Sequence, residues 1–270
     1  MCKNNDKILN YVSAKAVMSE LTTQVLGRPL IVLDSVDSTN DYIKSLADEF
    51  DNGTIVVARE QSAGKGRLGR KWITKKDDCL AFSILLKPQI TPDKVTAITP
   101  LAGLAVCKAV RDFTGLDCMI KWPNDVIIGS KKLCGILTEL SMSFNTIRYI
   151  VLGVGLNISQ TDFPAEISEK ATSLFLESGK SFDKNKLFAT IINYIEAELN
   201  ENNFELSGKA IEEYTSMCAT IGRTVYFSRG TEKLSGEAVA INDNSELLVM
   251  HLDGTIQTVN SGEVTVQGIY

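Results

Sequence analysis

Short apolar runs separated by glycine, proline and asparagine dominate the first 160 positions. LIVLD (30–34) and TIVVARE (54–60) have the unbroken, β-branched character of buried strands. Between them Ser38 stands as an N-cap ahead of Tyr42, Ile43 and Leu46, which predicts a helix and hence a β-α-β unit. CLAFSILLK (79–87) predicts another strand, and Thr91-Pro92-Asp93 then opens a long apolar helix to about Phe113, with a bend expected at Pro100. MIKW, DVIIG, LCGILTEL and TIRYIVLGVGLNIS follow as β-rich runs, with Gly129-Ser130 as a hairpin turn between two of them. From roughly 183 to 219 apolar residues return at three and four spacing, as in LFATIINYIEAELN, and predict helix. Beyond Gly222, TVYFS, GEAVAI, ELLVMHL, TIQTVN and EVTV alternate with turn residues, which predicts a small barrel of about fifty residues. The fold class is therefore α+β, with a mixed sheet over residues 1–220 and the barrel over 221–270.

Composition narrows the function classes. At 270 residues, 44% apolar and 23% charged, the chain is an ordinary globular sequence with a net charge of −5, so no global field draws it to nucleic acid or to an anionic membrane. No apolar run reaches eighteen residues and MCKNNDKILN lacks the core of a signal peptide, so a cytoplasmic protein is expected. Six cysteines without C-x-x-C spacing suggest reduced thiols and no zinc site, and no metal-ligating residues are assigned.

One stretch departs from the acidic background: AGKGRLGRKW (63–72). It contains G-x-G-x-x-G, but a polar segment and a strand follow it instead of a helix, and no acid lies about twenty residues beyond, so the dinucleotide reading fails. The phosphate-loop reading fails too, because Arg70-Lys71 replaces Lys-Ser/Thr. What survives is physical. Glycines let backbone approach a ligand, and Lys65, Arg67, Arg70 and Lys71 crowd four cations into seven residues, which predicts a loop that settles when an anion arrives. A solvated basic loop without a ligand is the alternative.

Lys121-Trp122-Pro123-Asn124-Asp125 sets a cation, an amide and a carboxylate in one constrained segment, and Lys132 and Gly135 follow across the Gly129 hairpin. Taken with the loop, these residues resemble a known family. D-S-T-N (37–40), Q-x-x-G-K-G-R-x-G-R-K-W (61–72), K-W-P-N-D (121–125), K-x-x-G-I-L-x-E (132–139) and G-x-G-x-N (153–157) are similar to the successive motifs of the biotin-protein ligases, in order. The resemblance is strong over about residues 30 to 160. It implies a catalytic domain of the class II aminoacyl-tRNA synthetase/biotin ligase type, residues 1–220, and a C-terminal SH3-like barrel, residues 221–270.

It also implies a two-step reaction, in which biotin and MgATP give biotinyl-5'-AMP and pyrophosphate, and a lysine of a biotin carboxyl carrier protein then takes the acyl group. Like-charge repulsion between carboxylate and polyphosphate is the obstacle, and Arg67, Lys121 and Lys132 are the cations that relieve it. With a single histidine, His251, in the barrel, a Ser-His or Cys-His nucleophile is disfavoured. The matching positions put Ser38, Thr39, Asn40 and Gln61 at the ureido ring of biotin, and Gly64, Lys65, Gly66 and Arg67 in the loop that closes over it. Lys132 falls at the biotin carboxylate beside Gly135, while Arg70, Trp72, Lys121, Asn124 and Asn157 fall around ATP. Asp125 is the candidate to orient or deprotonate the incoming amine. Lys65 stands where many members carry arginine, which loses the bidentate fork.

A lipoate- or octanoate-protein ligase or transferase is the enzymatic alternative, and a DNA-contacting biotin sensor is the regulatory one. About thirty residues precede LIVLD, fewer than an independent DNA-binding fold needs, so a ligase without that arm and without nucleic-acid or membrane partners is expected. By analogy with family members that pair through sheet edges, a homodimer is a further expectation.

Overall fold

The computed structural model describes residues 11–72, 74–260 and 264–270. Strands Leu30–Leu33 (β1) and Ile55–Ala58 (β2) run parallel, and the helix Thr39–Ser45 (α2) makes the required crossover. A shorter helix, Ala14–Glu20 (α1), precedes them. All further pairings in the large sheet are antiparallel: Cys79–Leu86 (β3), Cys118–Lys121 (β4), Asp125–Ile128 (β5), Lys131–Ser143 (β6) and Thr146–Asn157 (β7), in the order β1-β2-β3-β7-β6-β5-β4. Central β3 is buried along its whole length because elements cover both its faces.

Strand alternation divides the labour between those faces. Leu80, Phe82 and Ile84 of β3 and Leu152, Val154 and Leu156 of β7 pack toward the helices Val95–Thr114 (α3) and Lys184–Glu201 (α5), where Phe82 meets Phe188 at 4.8 Å. On the opposite face Ile43 of α2 and Ala47 just beyond it cover Val56, Leu85 and Val151. Further along β7 that same face carries Gly153 and Gly155, which pair with Leu137 and Gly135 of β6. The sheet is bare there, and the site lies on it.

Two expectations change in detail. Helix α3 follows a single turn of 3-10 helix at Pro92–Lys94 and continues through Pro100 to Thr114, where Gly115 at φ 75° closes it. The 183–219 helix is two: α5 ends near Asn202, Asn203 and Phe204 adopt left-handed φ of 49° and 59°, and Gly208–Ser216 (α6) starts anew. A short helix at Leu174–Ser178 (α4) has no counterpart in the sequence reading.

The C-terminal strands Thr224–Arg229 (β8), Glu232–Ile241 (β9), Leu247–Met250 (β10), Ile256–Val259 (β11) and Thr265–Val266 (β12) form the five-stranded antiparallel sheet β11-β10-β9-β8-β12. Its inner residues Val225, Ala238, Leu247 and Val249 share one apolar cluster with the large sheet. The Trp122 indole N–H donates to the Ser245 carbonyl at 3.0 Å, and the Trp122 backbone N–H donates to Thr220 Oγ1, also at 3.0 Å. Among the described residues no helix is long and apolar enough to cross a membrane, and the five cysteines are free and buried.

Candidate active site

The first turn of α2 supplies one half of the site. Ser38 caps it, accepting from the Asp41 amide at 3.4 Å, and so aims Thr39 and Asn40 down at the sheet. A bridge between Val36 and Gln61 brings Gln61 alongside, where its Oε1 accepts from the Thr39 amide at 2.8 Å and lies 3.0 Å from Thr39 Oγ1. Ser83 Oγ on β3 sits 2.8 Å from Thr39 Oγ1 and 2.5 Å from Asn40 Oδ1, and Asn40 Nδ2 donates to Glu139 of β6 at 2.6 Å. This is a compact field of donors and acceptors.

The basic loop lies over it as a small hairpin. Lys65 and Lys71 form a bridge, the Gly66 amide donates to the Arg70 carbonyl at 2.7 Å and the Trp72 amide to the Gly64 carbonyl at 2.8 Å. Leu68 and Gly69 turn the tip with φ of 56° and 75°. Two side chains fasten it: Lys65 pairs with Asp41 at 2.6 Å, and Arg67 Nη1 donates to Asn124 Oδ1 at 2.7 Å. The acceptors at these two fastenings, Asp41 and Asn124, are the protein's own. At its foot Trp72 lies flat on the glycine floor, where a Cβ on Gly155 would fall 2.4 Å from the indole.

The cationic half comes from the turn between β4 and β5. Asn124 donates through Nδ2 to the Ile136 carbonyl and to Asp125 Oδ1, both at 3.1 Å, and Lys132 Nζ meets Asp125 Oδ1 at 2.6 Å. Tyr270 donates its hydroxyl to Asp125 Oδ2 and lays its ring under Lys121, with Nζ 3.9 Å from the centroid. Burial pushes the Lys121 ammonium down to about 8; Lys132 and Arg70 push the same way, while Asp125 opposes them. Burial, then Asp125, holds the Tyr270 phenol above its ordinary range, and burial lowers the Arg67 guanidinium against the pull of Asp125.

Two adjoining clefts result. Ser38, Thr39, Asn40, Gln61, Lys65, Gly66, Arg67, Lys132 and Gly135 line the narrower one; Arg70, Trp72, Lys121, Asn124, Asp125 and Asn157 line the wider. Arg67, Trp72, Asn124 and Lys132 face both. Gly64 is not among the residues lining either cleft; its lack of a Cβ lets the Trp72 carbonyl pass 2.5 Å from where that atom would be, with Gln61 Nε2 at 2.8 Å. Sequence reasoning missed Ser83, which needs the β3–β7 register to be seen, and Glu166, Ile167, Lys170, Ala171 and Tyr270 in the wider cleft. Lys170 and Ala171 reach it because the Lys132 amide donates to the Lys170 carbonyl and Asn157 Nδ2 to the Thr172 carbonyl.

Residues 32–157 match the Biotin/lipoate A/B protein ligase family and 220–266 the Biotin protein ligase C terminal domain. The Bifunctional ligase/repressor BirA of Bacillus spizizenii is 32% identical over 94% of this chain and 78% of its own length. The Biotin--[acetyl-CoA-carboxylase] ligase of Mycobacterium tuberculosis is 30% identical over 90% and 93%. Among solved structures, the biotin protein ligase from Aquifex aeolicus in complex with biotin and ATP superposes with a TM-score of 0.74 at 32% identity, covering 88% of this chain and 98% of the other.

Proposed function

We propose, from the premise that this chain belongs to the biotin/lipoate A/B protein ligase family and groups with its biotin protein ligases, how the two clefts share the work. The enzyme joins biotin, at the expense of ATP, to the carrier of a biotin-dependent carboxylase. In the reading of the site, the ureido ring enters the narrow cleft among Ser38, Thr39, Asn40 and Gln61, and the nucleotide lies along Arg70, Trp72, Lys121 and Asn157.

The observation that carries this reading is the position of Lys132, which faces both clefts, with its ammonium 2.6 Å from Asp125. A carboxylate oxygen of biotin forms its bond to the α-phosphorus there as pyrophosphate leaves. Lys132, Arg67 and Lys121 offset the repulsion between the two anions, a role that electrostatic preorganisation performs well in a water-poor site. No protein nucleophile is needed.

In the second step the carrier lysine attacks the acyl carbon, the acyl–phosphate bond breaks and AMP leaves. Asp125 accepts from Lys132, Asn124 and Tyr270, so it acts first as a clamp on Lys132. Once Lys132 turns to the substrate carboxylate, an oxygen of Asp125 is released to take the amine proton. Magnesium would ride on the phosphates: among the described residues the wider cleft offers only Asp125 and Glu166 as carboxylates, and no cluster of three metal-ligating side chains exists.

Mass spectrometry of a carrier domain incubated with this protein, ATP and either biotin or lipoate tests the reading. A mass increase with biotin alone supports it, and modification by lipoate alone overturns it.

A further inference from the structure

The narrow cleft has a polarity that its own residues do not set. Glu139 lies on β6, two residues beyond the floor position Leu137, with its Oε1 2.7 Å from Lys44 and its Oε2 2.6 Å from Asn40 Nδ2. A carboxylate paired with a lysine only accepts, so it fixes which end of the Asn40 amide faces it. Asn40 Oδ1 must then point inward, against Gly153, whose missing Cβ makes the room.

The consequence runs along the cluster. Asn40 Oδ1 only accepts, so the Ser83 hydroxyl hydrogen goes to it at 2.5 Å. The Gln61 atom beside Thr39 is an oxygen, because the Thr39 amide can only donate. Three oxygen–oxygen contacts remain, Asn40–Ser83, Ser83–Thr39 and Thr39–Gln61, and only two hydroxyl hydrogens serve them. One contact lacks a hydrogen. The cluster therefore carries a surplus acceptor, while Gln61 Nε2 lies beside Gly64 as a donor. A ring that presents N–H next to C=O complements that arrangement.

We infer that Glu139, supported by Lys44, is a positioning residue that fixes the donor–acceptor direction of the narrow cleft and so makes it demand an N–H from its ligand. This rests on the biotin reading of that cleft. Replacing Glu139 with glutamine lets an NH2 group face Asn40; the amide can then turn, Ser83 can donate to Thr39 and Thr39 to Gln61, and the surplus acceptor vanishes. The cleft keeps its shape and loses its preference.

The test is calorimetric affinity for biotin and for the two cyclic carbamates of the same bicyclic ring, in which oxygen replaces one ring N–H. Wild type should prefer biotin over both, and Glu139→Gln should shrink that ratio roughly tenfold or more for at least one carbamate, the scale of a hydrogen bond gained or lost beside a buried group. A purely structural role would weaken all three ligands alike, and an unchanged ratio in a Glu139→Gln protein that melts like wild type overturns the inference. Should Glu139→Gln fail to fold, Glu139→Met carries the test: it removes the acceptor and leaves the Asn40 amide able to turn, while Lys44 keeps Asp41 at 2.8 Å. That variant should move the ratio in the same direction, and an unchanged ratio there is equally fatal. Wild type that binds no biotin would instead overturn the function proposed above.

Discussion

Lys132 and Asp125 stand 2.6 Å apart across the β5–β6 hairpin, at the seam where the narrower cleft meets the wider one. The register explains the meeting: Asp125 pairs with Gly135, whose absent side chain leaves the space that the Lys132 ammonium occupies, 3.0 Å from the missing Cβ. An ion pair this close to the reacting atoms is a store of positive charge with a catch on it.

Lys132→Ala should therefore slow pyrophosphate release by about a hundred-fold or more, on the scale of losing one preorganised charge. ATP affinity should change little, because Lys121 and Arg70 remain. Quench-flow and equilibrium binding separate the two, and equal losses in both would contradict the assigned role.

Lys121 sets a pH limit. Its folded pKa of about 8 lies below the ordinary lysine value of 10.5, so keeping the ammonium buried costs stability below about 8 and that cost fades as pH rises. A polyphosphate favours the ammonium and raises the pKa, so nucleotide binding above about pH 8 should take up a proton and weaken as pH climbs. Calorimetry at pH 8.5 in two buffers of different ionisation enthalpy should show that uptake, absent at pH 6.5 and abolished by Lys121→Met. Tyr270→Ala, which uncovers the ammonium to water, should move the window upward.

Gly155→Ala puts a methyl group 2.4 Å from the Trp72 indole and 2.7 Å from its Nε1. The indole must lift, so urea unfolding should show a loss of about 1–3 kcal/mol. KM for ATP should rise while biotin affinity holds. Unaltered nucleotide kinetics would mean that Trp72 is merely packed there.

The loop is closed by two backbone hydrogen bonds and tied down by Arg67 and Lys65. Amides of residues 62–72 should exchange faster than those of β3 in the free protein and slow on addition of biotin. Arg67→Gly should leave the acyl-adenylate poorly retained, so that label reaches bystander lysines. A variant that remains active yet strictly carrier-specific would show that the loop does not guard the intermediate.

Much of this was legible in the sequence because the motifs are local. Ser38 as a cap, the Gly129 turn and the five C-terminal strands are each written in a few consecutive residues, and each is found where expected. What stayed hidden depends on register or on distance along the chain. Ser83 joins the cluster only because β3 pairs with β7 so that it faces Gly153, and Tyr270 reaches Asp125 from 145 residues away. The break between α5 and α6 was masked by apolar spacing that continues through Phe204 and Leu206, although Asn202-Asn203 marks it. A motif also does not say which glycine frees space for a substrate and which frees it for another strand of the same loop, as the Trp72 carbonyl beside Gly64 illustrates.

Trp122, gripped at its amide by Thr220 and at its indole by Ser245, follows Lys121 and precedes Asn124 and Asp125 in the segment that lines the wider cleft. The far sheet thus braces that segment from outside both clefts, so replacing the turn around Ser245 should alter nucleotide kinetics although no exchanged atom lines either cleft.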